Sequence, residues 1–273
     1  MRFLEGRTAV LQHTFETDDD TPLTPSVVNV TVTRDGATVP VFDGPAVLAP
    51  SGVYTIQLNG LALGVYTVLW NGGTGATDRT SIEVVGGHLF TIAEVRASDV
   101  ELTADRFPNS AVVRLRDRVA DEFERITGRS FVTRVARLPP AVVDDGNPLP
   151  LMDVQSVHLE DGQGVPANVY TLERIGPFTL VEGVEPAGNY TAEVRYGFPA
   201  VPEDVKGAAL LRFRSLLFAE RSGIPDRATS FQPADGGTYA LSTPGVRGAK
   251  TGIPDVDVVL ADHTYEILQD IAL

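Results

Sequence analysis

The sequence predicts an α+β chain with an N-terminal antiparallel β-sandwich of immunoglobulin-like type. A helical domain with a β insertion and an extended C-terminal arm follows it. Three observations predict this fold: short alternating segments separated by turns fill residues 1–88, two long amphipathic helical patterns follow, and a second β-rich stretch lies between those helices. We therefore expect a β-sandwich domain over residues 1–88, a helical domain over 89–250 and a terminal segment over 251–273.

The sandwich prediction depends on period-two patterns near the N-terminus. Gly52–Leu58 and Gly64–Trp70 alternate apolar and polar residues, and Asn71-Gly72-Gly73 supplies the turn after the second of them. Six or seven such strands are typical of a small immunoglobulin-like sandwich. Trp70 is the only tryptophan, and we expect it to be partly buried at the end of its strand. Gly86-Gly87 marks the expected domain boundary.

Two helices are predicted directly after this boundary. Thr91 followed by Glu94 forms a capping-box pattern, which predicts the start of a short helix. The next helix covers Ala111–Thr127 and ends at Gly128. Its apolar face is formed by Val112, Leu115, Val119, Phe123 and Ile126, and its opposite face by Arg114, Arg118, Asp121 and Arg125. We expect that opposite face to contact solvent or another subunit.

Residues of about 130–198 read as a β insertion between two helices. Turn signals separate strand patterns at Phe131–Leu138, Val154–Glu160, Val169–Glu173, Phe178–Val181 and Thr191–Tyr196.

The helix over residues 202–222 has two apolar faces. Pro202 suits its first position, and Val205, Ala209, Leu210, Phe213, Leu216 and Leu217 form a wide stripe. Leu211 and Phe218 form a narrower ridge on the far side. Two interpretations stay open for this ridge: the same chain covers it, or a neighbouring subunit does. With Arg214, we predict that it forms a subunit contact.

The C-terminal quarter combines an aperiodic arm with a final helix. Residues of about 224–250 are rich in Gly, Pro, Ser and Thr, which predicts an arm that orders against a partner. Pro254 then suits a first helical turn, and an apolar face follows at Val256, Val259, Leu260, His263, Ile267 and Ile271. This helix either docks on a partner or packs back on the 202–222 helix.

Neither the composition nor the motifs of the chain favour an enzymatic function. The chain has 22 Lys+Arg against 36 Asp+Glu, a net charge of −14, which disfavours a DNA-reading surface. Arg212 and Arg214 lie near acids in the sequence, so we expect ion pairs between subunits or with solvent.

Cysteine is absent, the four histidines lack metal-ligand spacing, and Gly245–Thr251 departs from a phosphate loop because Ala249 replaces the second glycine. We predict no catalytic, cofactor or metal residues. Without a signal-peptide pattern, we expect a cytoplasmic origin.

Three segments carry a resemblance to a known family. Glu193–Phe198 followed by Val201–Lys206 and a long helix is the first, Glu122–Phe131 is the second, and Thr251–Asp257 is the third. In their order and spacing these segments resemble the head-to-tail connector (adaptor) proteins of tailed bacteriophages, of the type found in phages of actinobacteria. The resemblance covers roughly residues 90–260.

The resemblance implies a structural virion protein. As an adaptor, the chain would form a homo-oligomeric ring, a dodecamer in this family, that binds the portal protein and a downstream stopper or tail protein. DNA would pass through the ring without specific binding, and the ring would lie in the virion neck after assembly in the host cytoplasm, with no membrane involved. The matching segment favours portal docking by a set of residues in the last helix: Ile253, Pro254, Val256, Val259, Leu260 and Ile267. The alternative is a sandwich that binds carbohydrate or a host surface, carried on a structural stalk.

Overall fold

The computed structural model describes residues 1–50, 52–140, 143, 148–185, 188–219, 230–231, 239–240 and 250–265. The chain divides into a β unit, residues 1–87 and 132–199, and a helical unit, residues 88–131 and 200–273. The predicted mixed α+β class is confirmed, with largely antiparallel sheets and four helices in the described part of the chain. The β insertion groups with the sandwich, whereas the sequence placed it in the helical domain.

Ten strands build the sandwich part of the β unit. They are β1 (Arg2–Leu4), β2 (Ala9–His13), β3 (Phe15–Glu16), β4 (Pro22–Leu23), β5 (Asn29–Arg34), β6 (Phe42–Pro45), β7 (Val47–Leu48), β8 (Tyr54–Leu58), β9 (Gly64–Asn71) and β10 (Thr77–Val85). One sheet has the order β1-β10-β9-β5-β6, a second has the order β2-β8-β7, and β3 pairs with β4. The β1–β10 pair is parallel and the other pairs are antiparallel.

A single core lies between the two larger sheets. Because side chains alternate across a strand, the apolar residues of both sheets face one layer, which includes Leu11, Ile56, Val68 and Trp70. Trp70 was expected to be partly buried, yet it is only 1% exposed. The expectation is wrong because Trp70 pairs with Val30 on the central strands and His13 stacks on its ring at 5.1 Å.

A tyrosine corner supports the immunoglobulin-like character of this sandwich. Tyr66 lies near the start of β9, and its hydroxyl donates to the carbonyl of Ala62 at 2.8 Å. Immunoglobulin-type sandwiches place a tyrosine at this corner, where it ties the strand to the backbone a few residues upstream.

The remaining strands of the β unit form a three-stranded sheet and a hairpin. They are β11 (Arg134–Leu138), β12 (Val154–Glu160), β13 (Val169–Ile175), β14 (Phe178–Glu185) and β15 (Thr191–Tyr196). The sheet order is β11-β15-β12, and β13 pairs with β14. Their core includes Leu149, Leu159, Val181 and Val194. Four of the five strands start where predicted, while the first begins at Arg134 because Phe131 is buried in the helical unit.

Ion pairs tie the insertion to the sandwich inside the β unit. Arg34 on β5 donates to Glu193 on β15 at 3.0 Å, and Glu83 on β10 accepts from Arg134 on β11. The backbone N–H of Gly86 also donates to the carbonyl of Thr133 at 2.8 Å. These contacts explain why the insertion belongs with the sandwich.

The helical unit contains α1 (Ile92–Ser98), α2 (Asn109–Thr127), α3 (Glu203–Ala219) and α4 (Pro254–His263). A short pair, β16 (Ser230–Phe231) and β17 (Tyr239–Ala240), lies in the segment predicted as an arm, most of which falls outside the described residues. The predicted capping box at Thr91 and left-handed cap at Gly128, with φ of 70°, are both confirmed. None of the helices in the described ranges is long and apolar enough to cross a bilayer.

Candidate assembly site in the helical unit

Helices α2, α3 and α4 each contact the other two. Their amphipathic patterns place Phe123, Phe213, Val256 and Leu260 in one core, and all four side chains are fully buried. Four residues of the predicted main stripe of α3 are buried: Val205, Ala209, Phe213 and Leu217. Leu210 and Leu216, also in that stripe, are half-buried. The three helices therefore form a compact scaffold with separate outward faces.

A buried ion pair joins the three segments that carry the family resemblance. The guanidinium of Arg212 on α3 donates to both carboxylate oxygens of Glu122 on α2, each at 2.8 Å. A further Arg212 N–H donates to the carbonyl of Thr251, at 3.2 Å. The sequence predicted ion pairs for Arg212 between subunits or with solvent. This interpretation is wrong, because both charged side chains are only 15% exposed and satisfy each other within one chain.

The start of α4 is fixed by the third segment itself. The Asp257 carboxylate accepts from the N–H of Thr251 at 2.7 Å and from its hydroxyl at 2.8 Å. Asp257 also lies in the first turn, where negative charge complements the helix dipole. Thr251 is thereby held where its carbonyl meets Arg212.

A second polar contact joins the ends of α3 and α4. The ring of His263 lies 2.9 Å from the carboxylate of Asp204, which is in the first turn of α3. This hydrogen bond from His263 is the main cause that lowers the pKa of Asp204. At the start of α1, the backbone N–H and hydroxyl of Thr91 donate to the carboxylate of Glu94 and lower the pKa of that carboxyl group.

Two of the predicted portal-docking residues are core residues instead. Val256 and Leu260 are fully buried because α4 packs on α2 and α3, so their side chains are not available to another protein. Pro254 is exposed, while Ile253 and Val259 are half-buried. Ile267 lies outside the described residues. Thus α4 packs back on the 202–222 helix, the second of the two interpretations left open by the sequence.

The residues of the predicted subunit ridge also differ from one another in what they contact. Phe218 is half-buried and packs edge-on against Phe107, with ring centroids 6.0 Å apart. Arg214 donates to Asp99, the C-cap residue of α1, at 3.0 Å. Both side chains therefore contact residues of their own unit, and the subunit contact at Leu211, Phe218 and Arg214 stays a prediction. Leu211 remains 40% exposed on the outward face of α3.

The outward face of α2 carries the predicted row of charges. Arg114, Arg118, Asp121 and Arg125 are all exposed. Among the described residues, no acidic side chain forms an ion pair with any of these three arginines. In a chain with a net charge of −14, three exposed arginines along one helix form a local basic surface around Asp121.

The β unit holds a cleft of about 260 Å³ whose charged lining residues include Glu5, Arg34, Glu193 and Arg195. Arg34 lines it, but its guanidinium is occupied by Glu193 and by the carbonyl of Leu63, at 2.9 Å from the nearer nitrogen. His158 lies beside the carboxylate of Glu160 at 3.1 Å. The described ranges contain no group of three or more His, Asp or Glu side chains able to hold a metal ion.

Comparisons with known proteins identify no family. The chain matches no protein-family profile and no curated protein. Among solved structures it is similar to the crystal structures of the ZIG-8–RIG-5 IG1–IG1 heterodimer and of the ZIG-8 IG1 homodimer. Both are 11% identical, and each match covers 30% of this chain. The matches cover 78% and 75% of the solved chains, with TM-scores of 0.22 and 0.20, values that carry no argument about function.

Proposed function

We propose that this protein is a head-to-tail adaptor of a tailed bacteriophage. Copies of the chain form a ring that joins the portal to the downstream neck or tail and lets DNA pass. The chain acts by assembly: each bound copy completes a surface on which the next neck protein docks.

The convergence of the three resembling segments is the observation that carries this proposal. Glu122 belongs to the second segment, Thr251 to the third, and Arg212 lies on the helix that continues the first. These segments are separated by up to about 60 residues of other sequence, yet one guanidinium binds both partners. Segments that resemble a family only by chance have no reason to meet around one polar group.

The surface of the helical unit also supports an assembly role. Leu211 is exposed on α3 and has Gly207 and Ser215, both exposed, one turn before and after it. Such a face lets another helix approach closely, because two small residues flank a single large apolar side chain. The portal contact is assigned to the start of α4, where Pro254 is exposed.

The alternative of a carbohydrate-binding sandwich gains no support from the aromatic residues. A sugar platform needs exposed rings, whereas Tyr54, Tyr66 and Trp70 are each only 1% exposed. We therefore retain the adaptor proposal.

A complementation assay tests the proposed function. Phage that lack this chain should accumulate DNA-filled heads and free tails, and purified full-length protein should restore joined particles when added to that lysate. As a control, the double variant Arg7→Glu/Arg79→Glu changes two exposed residues of the β unit and should still complement. Normal joined virions in the absence of the chain would overturn the proposal.

A further inference from the structure

Two outward helix faces of the helical unit are complementary in charge and spacing. On α2, Arg118 and Arg125 are seven residues apart and exposed. On α4, Asp255 and Asp262 are also seven residues apart and exposed. Seven residues make two turns of an α-helix, so each pair lies on one face with about 10.5 Å between its members.

The residues between the charges fit the same pattern. Asp121 lies three residues after Arg118, and Val258 lies three residues after Asp255. Val258 is 61% exposed, an apolar side chain that the unit itself leaves uncovered. When the two faces are aligned, Val258 stands between two ion pairs, where its burial adds to the contact.

The acidic face is as free of partners as the basic one. No Lys, Arg or His in the described ranges forms an ion pair with Asp255 or Asp262. By contrast, Asp257 on the inner side of α4 is occupied by Thr251. Asp255 shares the first turn of α4 with Asp257, but in the described ranges no hydrogen bond like those of Asp257 occupies the carboxylate of Asp255 or Asp262.

One copy of the chain cannot bring these two faces together. Helices α2 and α4 pack on each other and on α3, and within the described residues no ion pair joins Arg118 or Arg125 to Asp255 or Asp262. We infer that the α2 face of one copy, Arg118 and Arg125, binds the α4 face of the next copy, Asp255, Val258 and Asp262. This inference rests on the proposed adaptor function and names the subunit interface of its ring.

An interface between two different faces has a geometric consequence. It is heterologous, and a heterologous contact adds copies head to tail, giving a ring when the rotation closes and an open filament when it does not. A two-fold contact would instead pair identical faces and stop at a dimer. The charge pattern thus favours a head-to-tail contact over a two-fold dimer, and the adaptor function requires that this contact close into a ring.

Engineered disulfides test this arrangement because the natural chain has no cysteine. Asp121→Cys and Val258→Cys each place one thiol at the centre of one face and leave the four proposed ion-pairing residues intact. Under oxidation, alone or with portal, each single variant should stay uncross-linked, while a mixture of the two should give a cross-linked dimer. The double variant D121C/V258C should give a ladder of multimers. Homodimers of either single variant, or no ladder from the double variant, would overturn the inference.

Charge reversal gives a second, independent readout. The double variants Arg118→Glu/Arg125→Glu and Asp255→Arg/Asp262→Arg should each lose assembly, and the chain that carries all four changes should regain it. Arg7→Glu/Arg79→Glu changes the net charge by the same amount as the first double variant and should assemble normally. If reversal of the arginines removed only binding of duplex DNA and left assembly unchanged, the α2 face would serve nucleic acid and the inference would be wrong.

Failure of the inference and failure of the proposed function give different results. A ring that forms and complements despite Arg118→Glu/Arg125→Glu contradicts this interface and leaves the adaptor function intact. A wild-type chain that neither assembles nor complements contradicts both.

Discussion

Replacement of Arg212 by Met is the sharpest test of the helical unit's organisation. Met keeps much of the side chain's length but removes the guanidinium, so Glu122 loses both of its 2.8 Å hydrogen bonds and Thr251 loses one. Removing one partner of a buried ion pair costs about 3–5 kcal/mol, and the partial exposure of this pair favours the lower end. A loss of about 3 kcal/mol lowers the Tm of a domain of this size by roughly 10 °C.

The assay can follow the two units separately. All four described helices lie in the helical unit, so far-UV circular dichroism in a urea titration reports that unit. The single tryptophan, Trp70, lies in the β unit, and its fluorescence reports the sandwich in the same samples. The Arg212→Met variant should shift the dichroism midpoint to lower urea. The exposed Arg114→Met, outside the inferred subunit interface, is the matched control, and its effect should stay within about 0.5 kcal/mol.

A double-mutant cycle decides whether the pair itself is responsible. The variant Arg212→Met/Glu122→Gln should lose less stability than the two single variants together, because neither charge is then left buried without its partner. The expected coupling energy is above about 1 kcal/mol. A value below about 0.5 kcal/mol would refute the reasoning that this contact holds α2 and α3 together.

Three further predictions follow from the same structure. Leu260→Ala should destabilise the helical unit by about 2–5 kcal/mol in urea titrations, whereas Val258→Ala should change it little, because only Leu260 is buried; equal effects would contradict the packing of α4. Hydrogen bonds from Thr91 lower the pKa of Glu94, so its stabilisation is present above the usual pKa near 4.5 and is lost as pH falls through the lowered value. Glu94→Gln should therefore cost stability at pH 7 and cost progressively less as the pH falls below that usual pKa; a loss that stays constant with pH would contradict this. The assembled ring should bind duplex DNA weakly, since acids outnumber bases overall, and tight salt-sensitive binding in a filter assay would refute the expectation that DNA passes through without being bound.

Local signals were predictable from the sequence because they depend on neighbouring residues. The capping box at Thr91 and the glycine cap at Gly128 need only a few adjacent positions, and both are confirmed. The strand patterns over Val154–Glu160 and Thr191–Tyr196 coincide with β12 and β15, since period-two alternation directly reflects which side of a strand is buried.

What each apolar surface packs against was not predictable. The face of α4 that includes Val256 and Leu260 is apolar whether it meets a portal or its own unit, and the pattern alone cannot separate these cases. The grouping of the insertion with the sandwich depends on Arg34 and Glu193, which are far apart in the sequence. The role of Arg212 was missed for the same reason, although an arginine flanked by Leu211 and Phe213 in the apolar middle of the helix was a usable signal of a buried ion pair.

Electron microscopy of the purified chain mixed with the portal protein of the same phage tests the central claim most directly. The account predicts a closed ring of this chain, twelve copies by the family resemblance, seated coaxially on the portal with its lumen open to DNA. Particles in which the portal carries no ring, or a chain that remains monomeric beside intact portals, would contradict it.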